Sequence, residues 1–139
     1  MAQHVRDLMT RNPVALTPDT PVREAARAMR DQGIGDVLVV EGDRVRGIVT
    51  DRDIVVRGLA DRDDLSGCRL ADVCSDRLVT ATPDEDVDVA VTRMREHAVR
   101  RIAVVEGGRP VGVLSLGDAA VEKDSLSGLA DISAARDNN

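Results

Sequence analysis

Gly47-Ile48-Val49-Thr50-Asp51-Arg52-Asp53 returns later in the chain as Gly112-Val113-Leu114-Ser115-Leu116-Gly117-Asp118, with glycine, hydroxyl and aspartate at matching places. Working outward from this pair, residues 5–55 slide onto 70–120 without a gap. Thr17-Pro18-Asp19 falls on Thr82-Pro83-Asp84, and Val22, Ala25 and Met29 fall on Val87, Ala90 and Met94. Val39-Val40-Glu41-Gly42 falls on Val104-Val105-Glu106-Gly107. A match sustained over that length is an internal duplication, and it sets the architecture before any local motif is read.

Each copy opens with an apolar, helix-like turn (5–9 and 70–74) and a short extended piece (14–16 and 79–81), after which Thr-Pro-Asp turns the chain. Thr20 reads as a helix N-cap with Pro21 at the first helical position, where no amide proton is needed. The second copy has Glu85 and Asp86 there, acids that suit a first turn. Spacings of three, four and seven put Val22, Ala25, Ala26 and Met29 on one helical face, and Val87, Ala90, Val91 and Met94 on its counterpart. Gly33 can end the first helix.

The aliphatic runs 37–40 and 102–105 suit buried strands. Glu41-Gly42-Asp43-Arg44 and Glu106-Gly107-Gly108-Arg109 are tight hairpin links to return strands over 45–50 and 111–115. Pro110 has no amide to donate, so it belongs at a strand start or on an edge. Second helices begin near Asp51 and near Leu116–Gly117, the first with Ile54, Val55 and Leu59 placed to cover the sheet.

The expectation is therefore an α/β chain of two like units, each reading strand, helix, strand, strand, helix. The first copy spans 5–60, a linker around Ser66-Gly67 spans 61–69, and the second copy spans 70–124. A weakly patterned tail over 125–139 carries Leu126, Leu129 and Ile132 at a spacing for a short docked helix. A copy of about 50 residues has too little core to stand alone, so the two are expected to form a pseudo-twofold pair.

Composition narrows the function classes. The chain has 139 residues, 42% hydrophobic and 32% charged, with no Phe, Tyr or Trp, so the core must be aliphatic. No apolar run approaches the roughly 20 residues of a spanning helix, and the N-terminus lacks the basic-then-apolar pattern of a signal peptide, which points to the cytoplasm. Nineteen basic against 25 acidic residues give a net charge of −6, a balance that disfavours nucleic acid and anionic membrane as partners. Cys68 and Cys74 make no CxxC pair, and with His4 and His97 the only histidines a multi-histidine metal site is excluded within one chain. No nucleophile and base recur together. Ser115 has no sequence-visible path to His97, so catalysis is not expected.

The paired Gly-x-x-hydroxyl-x-x-Asp segments, with the order of helices, strands and glycines around them, resemble the tandem CBS-domain proteins, the regulatory pair called a Bateman module. The resemblance covers most of residues 5–122. It implies clefts between the repeats able to bind AMP, ADP, ATP or another adenosyl compound such as S-adenosylmethionine. Thr50 with Asp53, and Ser115 with Asp118, match the positions where a hydroxyl and a carboxylate meet phosphate and ribose. Arg101, more than Arg100, is supported as a phosphate ligand, whereas the first copy has Gly35-Asp36 there.

Physical chemistry is compatible with that division: helix-start amides suit phosphate, and a carboxylate is better used on ribose hydroxyls than against another anion. Gly47 and Gly112 either remove bulk near the cleft or serve strand geometry. Without aromatic rings, adenine would sit between aliphatic walls: Val14, Leu16, Val37 and Ile48 in one half, Val79, Ile102 and Val113 in the other. Thr50-x-x-Asp53 and Ser115-x-x-Asp118 also read as capping boxes, and both readings stay open.

The function implied is a regulatory binding module, not an enzyme, that senses an adenine-containing small molecule, forms a homodimer and controls a separate protein. The alternative is a structural or interaction module that dimerises without a physiological nucleotide.

Overall fold

The computed structural model of the chain describes residues 3–75 and 77–123, the side chains of 120–123 excepted. The docked helix expected in the tail, with Leu126, Leu129 and Ile132, lies outside the described residues.

Along the chain come α1 (Val5–Leu8), β1 (Thr10–Arg11), β2 (Ala15–Leu16), α2 (Val22–Gln32), β3 (Asp36–Glu41), β4 (Arg44–Thr50) and α3 (Asp51–Asp53), which runs on as a π-helix over Ile54–Leu59. Then follow α4 (Leu70–Val73), β5 (Thr80–Ala81), α5 (Val87–Glu96), β6 (Arg101–Glu106), β7 (Arg109–Ser115) and α6 (Leu116–Lys123). The strand, helix, strand, strand, helix order is present in both copies, so the chain is α/β with a small mixed sheet packed by helices in each.

Two compact units emerge, and they cut across the sequence copies. The first unit is Val14–Leu78; the second joins the start of the chain through Pro13 to Val79 onward. Helix α4, which opens the second copy, therefore packs with the bulk of the first. Helix α1, which opens the first copy, packs with the bulk of the second.

In the first unit, β2 lies parallel to β3 with Leu16 opposite Val39, and β3 and β4 form an antiparallel hairpin. The predicted face of α2 is buried: Val22, Ala25 and Met29 meet Val37, Val39, Val49, Ile54, Cys68, Leu70 and Val73 in one aliphatic core. Each valine, leucine, isoleucine or methionine among them contributes about 1.5–3 kcal/mol when removed from water. Gly33 ends α2 in the left-handed conformation at φ 64°, its amide donating to the Met29 carbonyl.

The N-cap differs from the sequence reading. Pro21 is the cap and Val22 the first helical residue, while Thr20 is buried with its hydroxyl 3.0 Å from that of Thr17. The Val22 amide that a Thr20 cap would have satisfied donates instead to the Cys68 carbonyl at 2.9 Å. A tertiary acceptor replaced the local one.

In the second unit the sheet order is β1-β7-β6-β5, with β5 parallel to β6 and the other pairs antiparallel. Its core gathers Val5, Val87, Ala90, Val91, Met94, Ile102, Val104 and Leu114. Gly107 and Gly108 have φ values of 62° and 84°, the backbone a two-residue hairpin turn requires. Pro110 is the second residue of β7, opposite Val105 where the register shifts, so its missing amide costs the ladder little.

The same three backbone bonds seat the opening helix in both units. Leu70 and Ala71 donate to Thr20 and Pro18, and Val22 donates to Cys68; Val5 and Arg6 donate to Glu85 and Pro83, and Val87 donates to Gln3. Repeated sequence has produced repeated tertiary bonding.

One expected face is wrong. Ile54 is buried, but Val55 and Leu59 are 56% and 48% exposed. Gly58, four residues after Ile54, is the next buried position of this helix, and Val55, Val56 and Leu59 face outward.

Candidate functional site

Each hairpin delivers its hydroxyl to the start of a helix, and strand register decides what stands across from it. In the first unit Thr50 is opposite Asp36, and in the second Ser115 is opposite Arg101. Residues directly opposite in a ladder share a face of the sheet, so hydroxyl and ionic group are neighbours in both units. All four are half-buried. A matching backbone bond closes each hairpin end, from the Asp51 amide to the Gly35 carbonyl (3.0 Å) and from the Leu116 amide to the Arg100 carbonyl (2.7 Å).

The capping reading is realised in the first unit. Thr50 Oγ1 accepts from the Asp53 amide at 3.1 Å, and Asp53 Oδ2 accepts from the Thr50 amide at 2.9 Å. Arg57 Nε lies 3.8 Å from Asp53 Oδ1. The Asp51 and Arg52 amides have acceptors too, the Gly35 carbonyl and the Asp51 side chain. Every amide of this first turn is therefore engaged, contrary to the expectation that helix-start amides near Thr50 would receive a phosphate.

In the second unit Ser115 Oγ accepts from the Asp118 amide at 3.0 Å, while the Asp118 side chain is exposed. A Cβ placed on Gly117 would make only an ordinary contact, with Ser115 Oγ at 3.9 Å. Capping and ligand binding are compatible here. A hydroxyl that accepts from an amide keeps its own proton to donate, and a carboxylate has about four lone-pair sites.

The five predicted residues thus fall into two groups, Thr50 with Asp53 and Arg101 with Ser115 and Asp118. Asp36, which sequence reasoning noted only as an asymmetry, joins the first group. Arg100 is exposed beside the second.

The proposed adenine walls need correction. Val37 and Ile102 are fully buried in the two cores, and Val79 and Val113 are nearly so. Val14, Leu16 and Ile48 are half-buried. Continuous aliphatic strands face the core first, and only the remaining positions are left for a ligand.

Gly47 and Gly112 serve the chain's own packing. A Cβ on Gly47 would lie 2.4 Å from Cys74 Sγ; one on Gly112 would lie 2.8 Å from both Met9 Sδ and the Thr10 carbonyl. Met9 and Cys74 occupy matching repeat positions, which was the available signal. Another pair absent from the sequence reading is Glu85 with Arg93, joined by bonds of 2.6 and 2.9 Å. Arg93 hydrogen bonding holds the Glu85 carboxyl below its ordinary range, against the opposing effect of partial burial.

A shallow groove of about 390 Å³ runs along α5, lined by Asp88, Val89, Thr92, Arg93 and Glu96, none of them among the five. Among the described residues no three of His, Cys, Asp or Glu come together as a metal site would require. No described helix is long and apolar enough to cross a membrane.

Comparison with known proteins follows the two sequence copies, not the compact units. The family model for the CBS domain matches residues 5–59 and 70–122. The CBS domain-containing protein YhcV of Bacillus subtilis is 34% identical over 121 residues, covering 87% of this chain and 86% of YhcV. The crystal structure of hypoxic response protein I with two coordinated zinc ions, a protein of Mycobacterium tuberculosis, matches at a TM-score of 0.75 and 29% identity, covering 86% of this chain and 98% of that one. The CBS pair of MJ0100, in complex with 5′-methylthioadenosine and S-adenosyl-L-methionine, matches at a TM-score of 0.81 over 91% of this chain and all of that one; at 22% identity the likeness is one of fold.

Proposed function

The chain belongs to the CBS-domain family as a tandem pair of regulatory, non-catalytic domains, and from that premise we propose that it is a cytoplasmic sensor of an adenine nucleotide or related adenosyl ligand. The observation that carries this reading is the grouping of Arg101, Ser115 and Asp118 at one hairpin end, with Asp118 exposed. A guanidinium and a hydroxyl proton suit phosphate oxygens, and an exposed carboxylate suits the two ribose hydroxyls. The MJ0100 pair, whose fold this chain shares, holds two adenosyl compounds.

Ligand acts by favouring one arrangement of the protein over another, which requires unequal affinity for the two. The effect is read by a separate regulated protein, and the module works as a homodimer, which light scattering on a micromolar sample will show; a monomer throughout that range would remove the dimer from this reading.

Isothermal titration of ligand-free protein with AMP, ADP, ATP and S-adenosylmethionine tests the sensor. Binding of at least one, lost on Asp118→Ala, is expected; no heat with any of them overturns it. The closed Thr50–Asp53 box favours a second reading, a structural dimerisation module without nucleotide. That reading requires Asp53→Ala and Asp118→Ala to lower stability while no ligand binds.

A further inference from the structure

We propose that the shallow groove along α5 seats a second copy of this chain through that copy's helix over 51–59, so that the first unit of one copy meets the second unit of the other. The inference rests on the homodimer proposed above and assigns its contact. Among the described residues the large exposed aliphatic side chains are Val55, Val56, Leu59, Leu78 and Val89. Three of them, with Arg52, make one exposed face of the helix over 51–59, away from the buried Ile54 and Gly58. Val89, 51% exposed, lines the α5 groove with Thr92, Arg93 and Glu96, again a single helical face. Half-buried Arg93 is held by Glu85 and by the Thr80 carbonyl, which fixes this part of the lining.

Charge and spacing select the pairing. Arg52 stands seven residues before Leu59, and Glu96 stands seven after Val89. Laid antiparallel with Leu59 on Val89, the two helices bring Val56 to Thr92 and Arg52 to Glu96, with apolar contact inside and opposite charges at the end. Pairing like with like does the reverse. Antiparallel, with Leu59 of one copy on Val55 of the other, the helix over 51–59 sets Asp53 against Asp61 and Asp51 against Asp63; parallel, it sets Arg52 against Arg52. The α2 positions that match the groove are Glu24, Arg27, Ala28 and Asp31, none of them a large aliphatic residue, so the first unit offers no equivalent seat. A twofold pair makes the α5 contact twice and closes, which covers an aliphatic patch otherwise left in water.

Light scattering of the full chain across the micromolar range is the test. Wild type is expected to dimerise, and Arg52→Glu or Glu96→Arg alone to weaken the dimer about ten- to a hundredfold, since each reversal opposes like charges at both contacts. Mixed one to one, the two variants are expected to regain wild-type affinity within about threefold, because the reversed charges attract at one contact and the native pair remains at the other. Leu59→Ser is expected to weaken the dimer about tenfold. Circular dichroism at high dilution, where the copies separate, should show all three variants folded and melting with wild type, because the replaced side chains are exposed in the single chain. A monomeric wild type overturns the homodimer and this contact together. A dimer that either reversal or Leu59→Ser leaves at full strength, or that mixing fails to restore, overturns the contact alone and leaves the homodimer and the sensor standing.

Discussion

Replacing Gly47 by alanine gives a prediction whose sign depends on one neighbouring atom. The added methyl would sit 2.4 Å from Cys74 Sγ, more than ~1 Å inside the 3.5–4.0 Å optimum for nonbonded atoms. Overpacking of this kind costs about 1–3 kcal/mol, offset in part by the ~0.4–1 kcal/mol gained when a glycine is removed from the unfolded chain, because Gly47 has no left-handed φ. The net expectation is a loss of about 1–2 kcal/mol. With Cys74→Ala in place the sulfur is gone and the next contact, the Ser75 carbonyl at 3.7 Å, is ordinary. Gly47→Ala should then stabilise by about 0.4–1 kcal/mol. The four proteins of this cycle are compared by urea denaturation followed by circular dichroism, with a coupling energy of about 1.5–3 kcal/mol expected. Gly112→Ala is the control. There the methyl meets the Thr10 carbonyl of β1 as well as Met9 Sδ, so Met9→Ala should not restore stability. An equal cost for Gly47→Ala in both cysteine backgrounds would refute the steric argument and, with it, the claim that this glycine exists to admit the segment after α4.

Three further outcomes follow from local bonding. Glu85→Gln should cost about 1–2 kcal/mol, since the half-buried Arg93 loses its charged partner. Because Glu85 is depressed in the folded state, its contribution is full above the ordinary glutamate value of 4.5 and disappears as pH falls through the lower folded value, so the variant should lose less stability than wild type on acidification below pH 4.5. Thr50→Ala should lose about 1 kcal/mol and Thr50→Ser little, measured by thermal melting, because only the alanine lacks an acceptor for the Asp53 amide. In the separated chain, Ile54→Ala should cost about 2–5 kcal/mol and Leu59→Ser within about 0.5 kcal/mol, the contrast their burial produces; equal costs would mean that Leu59 is covered as Ile54 is.

Much of the fold was legible because its signals are local and were stated twice. Gly33, the hairpin glycines and the apolar faces of α2 and α5 each act within a few residues, and all but Gly33, whose counterpart is Ala98, recurred in the second copy. The misplaced features share a different cause. Thr20 lost its cap role because Cys68, distant in sequence, supplied the acceptor. Leu59 turned outward because Gly58, four residues on from Ile54, takes the next inward position, against Leu65 and Val73. Val37 and Ile102 were drawn into the cores, where an aliphatic strand residue is worth more than at a ligand wall.

For the candidate site, spacing alone left Thr50-x-x-Asp53 and Ser115-x-x-Asp118 equivalent. Hydrogen bonding distinguished them, closing one box on itself and leaving an exposed carboxylate at the other.

By itself the amino-acid sequence determined that there are two copies, what elements each contains, and which face of each helix is apolar, since these depend on periodicity and turn chemistry within short stretches of chain. Only the tertiary structure decided that α1 and α4 are exchanged between the compact units, that Gly47 and Gly112 make room for Cys74 and Met9, and that Asp36 and Arg101 stand across from the paired hydroxyls. Contacts of that kind join residues far apart along the chain, and their partners are chosen by packing and strand register, which no local pattern records.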